Sequence, residues 1–414
     1  MSVVAESAIG SVTPDIAYTR KNEYLCGMND IEIRVGIPTA GEPVLERRPG
    51  GTLLRNMVIG LGFHWERVIE ALLPGEVEHT DDPVFRLVNR LPLESYLECV
   101  VGSEMNPSSP AEFLKAHAVI SRGWALGKIL HRHDDSDDGK ISRADLIIGW
   151  DDTCDHTGFD VCSDDHCQRY QGVQPIPPNV LRALRSTAGE VLTTPSGRIV
   201  DTRFSKCCGG RAEIFSTCWQ DREEECLESF DDPWCDLSDL DDGRRNRVLQ
   251  TVLKDYDQQT GGGYRWTATV TAKEIERNVR EKFGRDIGRV KDIDITGRGP
   301  SGRATRLRLR GTAGTLEIGK ELMIRRLLSP THLYSARFNI TRLTPAEDSP
   351  STQARSSTEF HLEGQGWGHG VGLCQIGAAR MALEGADYRR ILAFYYPHSH
   401  LTPSPKFSRS SGSS

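Results

Sequence analysis

The sequence predicts an α+β protein: a mixed α/β core built around a helix–turn–helix, with inserted β-rich segments. Three observations carry this. Short alternating runs and amphipathic helical runs are interleaved without the strict strand–helix alternation of a parallel α/β fold. Two helical runs stand back to back across Asn106-Pro107, a pair that breaks helices. No spacing recurs at a fixed period, which excludes solenoids and propellers.

Residues 1–30 are weakly patterned and read as a loose arm. Ile31–Ile37 (IEIRVGI) alternates apolar and charged side chains, the period of a half-buried strand. Phe63–Leu73 has helical spacing, and Phe85–Val88 reads as a short strand ending at Asn89-Arg90. Leu93–Met105 is predicted as a helix with Leu93, Leu97, Val100 and Val101 on one face. For the next helix Ser109 is the expected N-cap, Pro110 fits the first position and Glu112 can close a capping box. That helix runs to about Leu130, with Phe113, Leu114, Ala118, Trp124, Ala125 and Leu126 on its buried side.

A helix follows at Val180–Thr187. Val191–Thr194 and Ile199–Phe204 then flank a turn at Pro195-Ser196-Gly197. Tyr264–Val270 reads as a strand and Ala272–Phe283 as a helix. Val290–Ile295, Thr305–Arg310 and Thr315–Ile318 read as strands. These place an inserted α/β subdomain at 247–345 within a main region at 31–401. Phe360–Leu362 is a further strand and Tyr388–Tyr395 a helix. Residues 402–414 form a Ser/Pro tail without a core.

Bulk properties narrow the function. The formal charge is −7 over 414 residues, and no basic face suited to nucleic acid stands out. No run is long and apolar enough to predict a membrane span. The first residues lack the basic start and apolar stretch of a secretory leader. Acidic side chains concentrate at Asp134–Asp138 and Asp221–Asp242, both expected as solvated loops.

Two segments carry candidate chemistry beside Glu104. Glu104 closes the first helix of the pair, where it faces the negative end of the helix dipole, a setting suited to a general acid. The bland alternative is a surface glutamate. Gly364–Gln375 (GQGWGHGVGLCQ) has glycine at every second position from 364 to 372, flanking Trp367 and His369. It lacks the terminal Gly-Lys-Ser/Thr of a phosphate loop and the spacing of a dinucleotide fingerprint. Trp367 offers a face to a sugar ring, and a tight glycine turn is the alternative. Cys154–Tyr170 gathers Cys154, His156, Cys162, His166 and Cys167. Zinc held by His156, Cys162, His166 and Cys167 would have a full shell, hence a structural role. Buried or disulfide-linked thiols are the rival. The chain has 11 cysteines, an odd number that does not read as a simple disulfide scaffold. Cys207 and Cys208 are adjacent and cannot easily pair with each other, which leaves Cys218, Cys226, Cys235 or a metal as partners. No nucleophile elbow is present.

At Leu91–Leu126 (LPLESYLECVVGSEMNPSSPAEFLKAHAVISRGWAL) and Gly366–Leu401 the chain resembles the sporulation stage II protein D / LytB (SpoIID/LytB) family. RATRLRLRG and Ile324–Ile340 are similar as well. The resemblance implies lytic transglycosylase activity on peptidoglycan glycan strands lacking stem peptides, with the catalytic glutamate at Glu104. It implies zinc in one branch, matching His156, Cys162 and HCQRYQG. Other members are amidase enhancers, so a cell-wall amidase is the alternative partner. A sugar strand tolerates an acidic surface, and the substrate places the protein at the cell envelope. Groove residues are expected at Tyr170, Ser205, Trp367, Gly368, His369 and Gln375. A zinc hydrolase with an open metal position is a third reading. The chain departs from the family pattern at Asn106, His117, Gly123-Trp124, Cys207-Cys208 and Cys374.

Overall fold

The computed structural model describes residues 31–61, 66–106, 109–130, 139–151, 156–164, 167–173, 176–253, 264–343 and 358–403. Its architecture is α+β, with several small sheets around two large hydrophobic cores and a small third cluster of Val88, Phe159 and Cys162.

The first core begins with strand Glu32–Ile37, where alternation places Ile33, Val35 and Ile37 inward, each fully buried. It pairs antiparallel with Leu87–Pro92, Val35 opposite Asn89, and parallel with Val161–Cys162. Gly36 is required here, because a Cβ would sit 2.5 Å from the Phe159 ring. The chain leaves Pro92 directly into α1 (Leu93–Glu104), which buries Leu93, Leu97, Val100 and Val101 as the pattern predicts. After the Asn106 break, α2 (Ala111–Leu130) is buried without interruption from Ala116 to Leu126. A helix apolar on every side belongs at the centre of a core. Accordingly α2 packs against α1, against α3 (Pro178–Ser186), and against helices Gln375–Leu383 and Tyr388–Tyr395. Its buried Arg122 is held by Glu94, at 2.6 and 3.0 Å.

Several expectations are corrected. Of the helix expected at Phe63–Leu73, residues 63–65 lie outside the described set, and Arg67–Leu73 is instead a strand antiparallel to Gly51–Ile59. Val68, Ile69 and Leu72 fit a helical spacing, whereas Ile69, Ala71 and Leu73 alternate as in a strand, and strand pairing decides it. The strand expected to stop at Asn89 runs on to Pro92, and buried Asn89 donates to the Pro74 and Glu76 carbonyls. The capping box gives way to tertiary bonds. Ser109 Oγ donates to the Thr251 carbonyl, and Glu112 accepts the Tyr388 amide. Only a bridge between Thr193 and Ile199 remains of the hairpin; Glu190–Thr193 pairs instead with His400–Pro403. Thr402 and Pro403 are therefore strand rather than tail.

The second core gathers Trp266, Ile275, Leu307, Leu309, Ile318, Ile324, Phe338 and Leu362. It lies under a five-stranded sheet (Val290–Arg298, Ala304–Gly311, Thr315–Gly319, Leu146–Ile148, Ile141–Ser142) and a three-stranded one (Arg265–Thr271, Glu359–Gln365, Phe338–Leu343). Helix Ala272–Phe283 has the predicted bounds, set by a Thr271/Glu274 capping box and by Gly284 in the left-handed region. The unit is wider than 247–345 at one end and narrower at the other. Phe360, Leu362 and Ile147 join it, whereas Val248 and Val252 of helix Asp242–Val252 pack in the first core. Among the described residues no helix is long and apolar enough to cross a membrane.

Candidate functional site

A cleft of about 580 Å³ opens between the two cores. The first core supplies Glu104, Trp124, Arg169, Ser205, Lys206, Trp367, Gly368 and Gln375 to its walls, and the second supplies Leu322, Arg325, Leu333 and Tyr334. Clefts between packed units are the usual place for ligand sites.

Glu104 is the last residue of α1, half-buried, with Oε1 accepting the Arg169 backbone amide at 3.0 Å. Asp151 and Glu321 are the other carboxylates of the lining. Both are paired, Asp151 with Arg326 at 2.5 Å and Glu321 with Arg325 at 3.3 Å. Among the described residues, no basic side chain lies in ion-pair range of Glu104.

The glycine loop forms the opposite wall. Trp367 exchanges both backbone bonds with Cys207 and meets Tyr334 edge-on at 5.5 Å. Its glycines admit protein more than ligand. A Cβ on Gly370 would meet the Arg303 guanidinium at 2.4 Å, and one on Gly372 the Arg203 carbonyl at 2.1 Å. His369 accepts the Val371 amide on Nδ1 at 3.0 Å, so its ring can offer Nε2–H as a donor. Burial, with Arg203, Arg303 and Arg325 nearby, pulls His369 down to about 3. It is therefore neutral near pH 7.

Ser205 lines the cleft, and its buried hydroxyl finds no hydrogen-bond partner among the described residues. Gln375 Nε2 lies 3.3 Å from His117 Nε2. Burial pulls His117 down to about 3, so the imidazole nitrogen can accept from the amide. Tyr170 is a correction. It is fully buried, stacked on Tyr96 and donating to Asn89 at 2.5 Å, and does not line the groove. Sequence reading missed Trp150, Arg203, Trp219 and Tyr334, which also line the cleft. Arg203 stacks on Trp219 at 3.9 Å. These residues lie far apart in the chain, and only Ser205 beside Lys206 offered a local hint.

Of the expected metal ligands, His156, Cys162 and Cys167 come together with donor atoms within 4.8 Å of one another. His156 Nε2 is 3.4 Å from Cys167 Sγ, and amides of Cys162 and Asp164 reach the Cys167 and Cys162 sulfurs at 3.4 Å each. His166, like Cys154, lies outside the described residues. An imidazole and two thiols at this spacing form a donor set able to hold a metal, and amide bonds to sulfur favour thiolates. No disulfide joins two of the described cysteines.

Comparison with known proteins agrees with this geometry. The family model for stage II sporulation protein (SpoIID) matches residues 82–194, the span holding Glu104, both helices and the Cys/His cluster. Residues 213–372 match a domain of unknown function, DUF8618, covering the second core. Stage II sporulation protein D of Bacillus subtilis is 23% identical over 329 residues, 78% of this chain and 80% of that protein. The chain resembles the SpoIID/LytB family, with the SpoIID domain matched at residues 82–194. The amidase enhancer of the same organism is 23% identical over 325 residues, 74% of this chain and 40% of that protein. An uncharacterized protein of Brachyspira hyodysenteriae is 25% identical over 310 residues, 75% of this chain and 66% of that protein. The chain thus spans under two thirds of these last two relatives. The relation to SpoIID proteins supports a cell-wall-related role.

Proposed function

We propose that this SpoIID/LytB-like protein is a peptidoglycan lytic transglycosylase with Glu104 as its single acid/base. Charge pairing in the cleft carries the reading: among the described residues Asp151 and Glu321 are committed to arginines, and Glu104 is not. An ordinary glycosidase needs two working carboxyl groups. A lytic transglycosylase needs one, because the sugar's own C6 hydroxyl is the nucleophile. Glu104 protonates the glycosidic oxygen as the C1–O bond breaks. It then takes the proton from the C6 hydroxyl as that oxygen bonds to C1. The product is a 1,6-anhydro end, no water is consumed, and Glu104 returns to its starting state.

The remaining lining supports a sugar strand. Trp124, Trp367 and Tyr334 offer aromatic surface, and Ser205 and the His369 Nε2–H offer hydrogen bonds. Lys206, which lines the cleft, suits the lactyl carboxylate of a muramic acid freed of its stem peptide. Zinc on His156, Cys162, Cys167 and, from the sequence, His166 would be structural, cross-linking the turn that leads to Arg169, whose amide holds Glu104. The second reading, an enhancer of a cell-wall amidase, draws on the name of the 23% identical relative.

Mass spectrometry of purified glycan strands, with and without stem peptides, separates the two. Anhydro-ended fragments from wild type and none from Glu104→Gln are the expected result. Strand binding without cleavage by either protein, with hydrolysis only when an amidase is added, would overturn the transglycosylase.

A further inference from the structure

A second sulfur cluster lies behind the glycine loop, away from the first. Cys208, Asp232, Cys235 and Cys374 are all buried, and their donor atoms lie within 4.8 Å of one another. Cys208 Sγ is 3.3 Å from Cys235 Sγ and 3.2 Å from Asp232 Oδ2. We propose that these four side chains form a second structural metal site, of the tetrahedral zinc type, which fixes the glycine-loop wall of the cleft.

Four features support it. The first is size. Zinc–sulfur bonds of about 2.3 Å put tetrahedral sulfurs about 3.8 Å apart, so an ion fits the set with small outward shifts. A multi-iron cluster would need its thiolates farther apart. The second is the donor set. Three sulfurs and one carboxylate are a full shell for zinc.

The third is the backbone. Amides of Cys208 and Gly210 reach Cys374 Sγ at 3.3 Å and Cys235 Sγ at 3.1 Å, and hydrogen bonds to sulfur favour thiolates. Gly209 and Gly210, at φ +77° and +99°, allow the turn that presents these amides. The fourth is the support around the carboxylate. Asp232 Oδ2 also accepts from Tyr395 at 3.1 Å and Oδ1 from the Trp234 amide at 2.9 Å, so its orientation is fixed from behind.

The position gives the site its use. Cys208 stands three residues after Ser205, and Cys374 precedes Gln375, so both flank cleft residues. The parallel pairing of Phe204–Ser205 with Leu373–Cys374 joins them. An ion there would tie three distant stretches, 207–210, 232–235 and 366–374, into one wall.

The test measures bound metal in the full chain, purified in zinc-supplemented medium without a histidine tag, with Cys235→Ser, Cys374→Ser and Cys162→Ser variants beside it. Cys235→Ser and Cys374→Ser should each lose one equivalent of zinc that Cys162→Ser keeps. Cobalt exchanged into Cys162→Ser should give thiolate-to-metal charge-transfer absorption, a readout that does not require the other two variants to fold. Absence of that absorption, unchanged zinc content in folded Cys235→Ser, or a Cys208–Cys235 disulfide in the freshly isolated chain would each overturn the proposal.

Discussion

The two sulfur clusters differ in how the chain builds them. His156, Cys162 and Cys167 fall within one short segment and could be read from the sequence as a metal-binding group. Cys208, Asp232, Cys235 and Cys374 come from three segments and meet only because a parallel strand pair brings residue 205 to residue 374. Locality decided what was legible. The Asp221–Asp242 block, expected as a solvated loop, shows the same thing: Asp232 within it is 1% exposed. Charge density reads as solvent exposure until a tertiary partner draws one carboxylate inward.

Four perturbations would break or sharpen that contrast, from the largest effect to the smallest. Cys162→Ser should cut cleavage at least tenfold and lower the melting temperature, since it loosens the turn leading to Arg169 and so the amide on Glu104. Thermal scans and strand-cleavage rates check this. Chelators that abolish cleavage with no change in melting temperature would instead indicate an open, catalytic metal. Gly370→Ala should cost roughly 2 kcal/mol, because its Cβ meets Arg303 at 2.4 Å in a left-handed conformation. Denaturant titration reads that cost, and metal analysis should show the local cluster retained.

Trp367→Ala should weaken strand binding about tenfold while leaving zinc content alone, if the loop's aromatic face holds sugar. Calorimetry with stripped strands measures it. The smallest change concerns pH just below about 6.5, where protonation has only begun. His117 and His369 are each pulled down to about 3 in the folded protein, against an ordinary value near 6.5. Above that ordinary value both states are neutral, and folding gains nothing from pH. Below it the unfolded chain takes up protons first, so stability falls by about 1.4 kcal/mol per pH unit per histidine, down to the folded values. His117→Gln, which restores the residue usual in the family, should flatten the acid limb of a plot of melting temperature against pH. An unchanged limb would remove His117 from the account.

Much of the fold was legible where local periodicity and tertiary need agree. α1 buries the four residues that its spacing picked out, and helix Ala272–Phe283 has its bounds written in its caps. Arg67–Leu73 went wrong because its apolar residues satisfy both periods, and the neighbour that decides lies at Gly51–Ile59. Glu104, Trp367 and His369 were picked out from their local setting, and all three line the cleft. Tyr170 was misplaced because a tyrosine beside ligand-like residues looks like a groove residue, while its ring fills the core against Tyr96. The second-core lining, Arg325 and Tyr334 among it, carries no local mark at all.

The strand pair Phe204–Ser205 and Leu373–Cys374 also bears on synthesis at the ribosome. The wall presenting Ser205 cannot close until residue 374 has emerged, and Glu190–Thr193 waits longer still for His400–Pro403. Such late, long-range closure is slow. A nascent chain would carry Glu104 on a formed helix pair well before any glycan strand could be gripped. On the proposed function, activity would stay silent until residues 374 and 400–403 have been made.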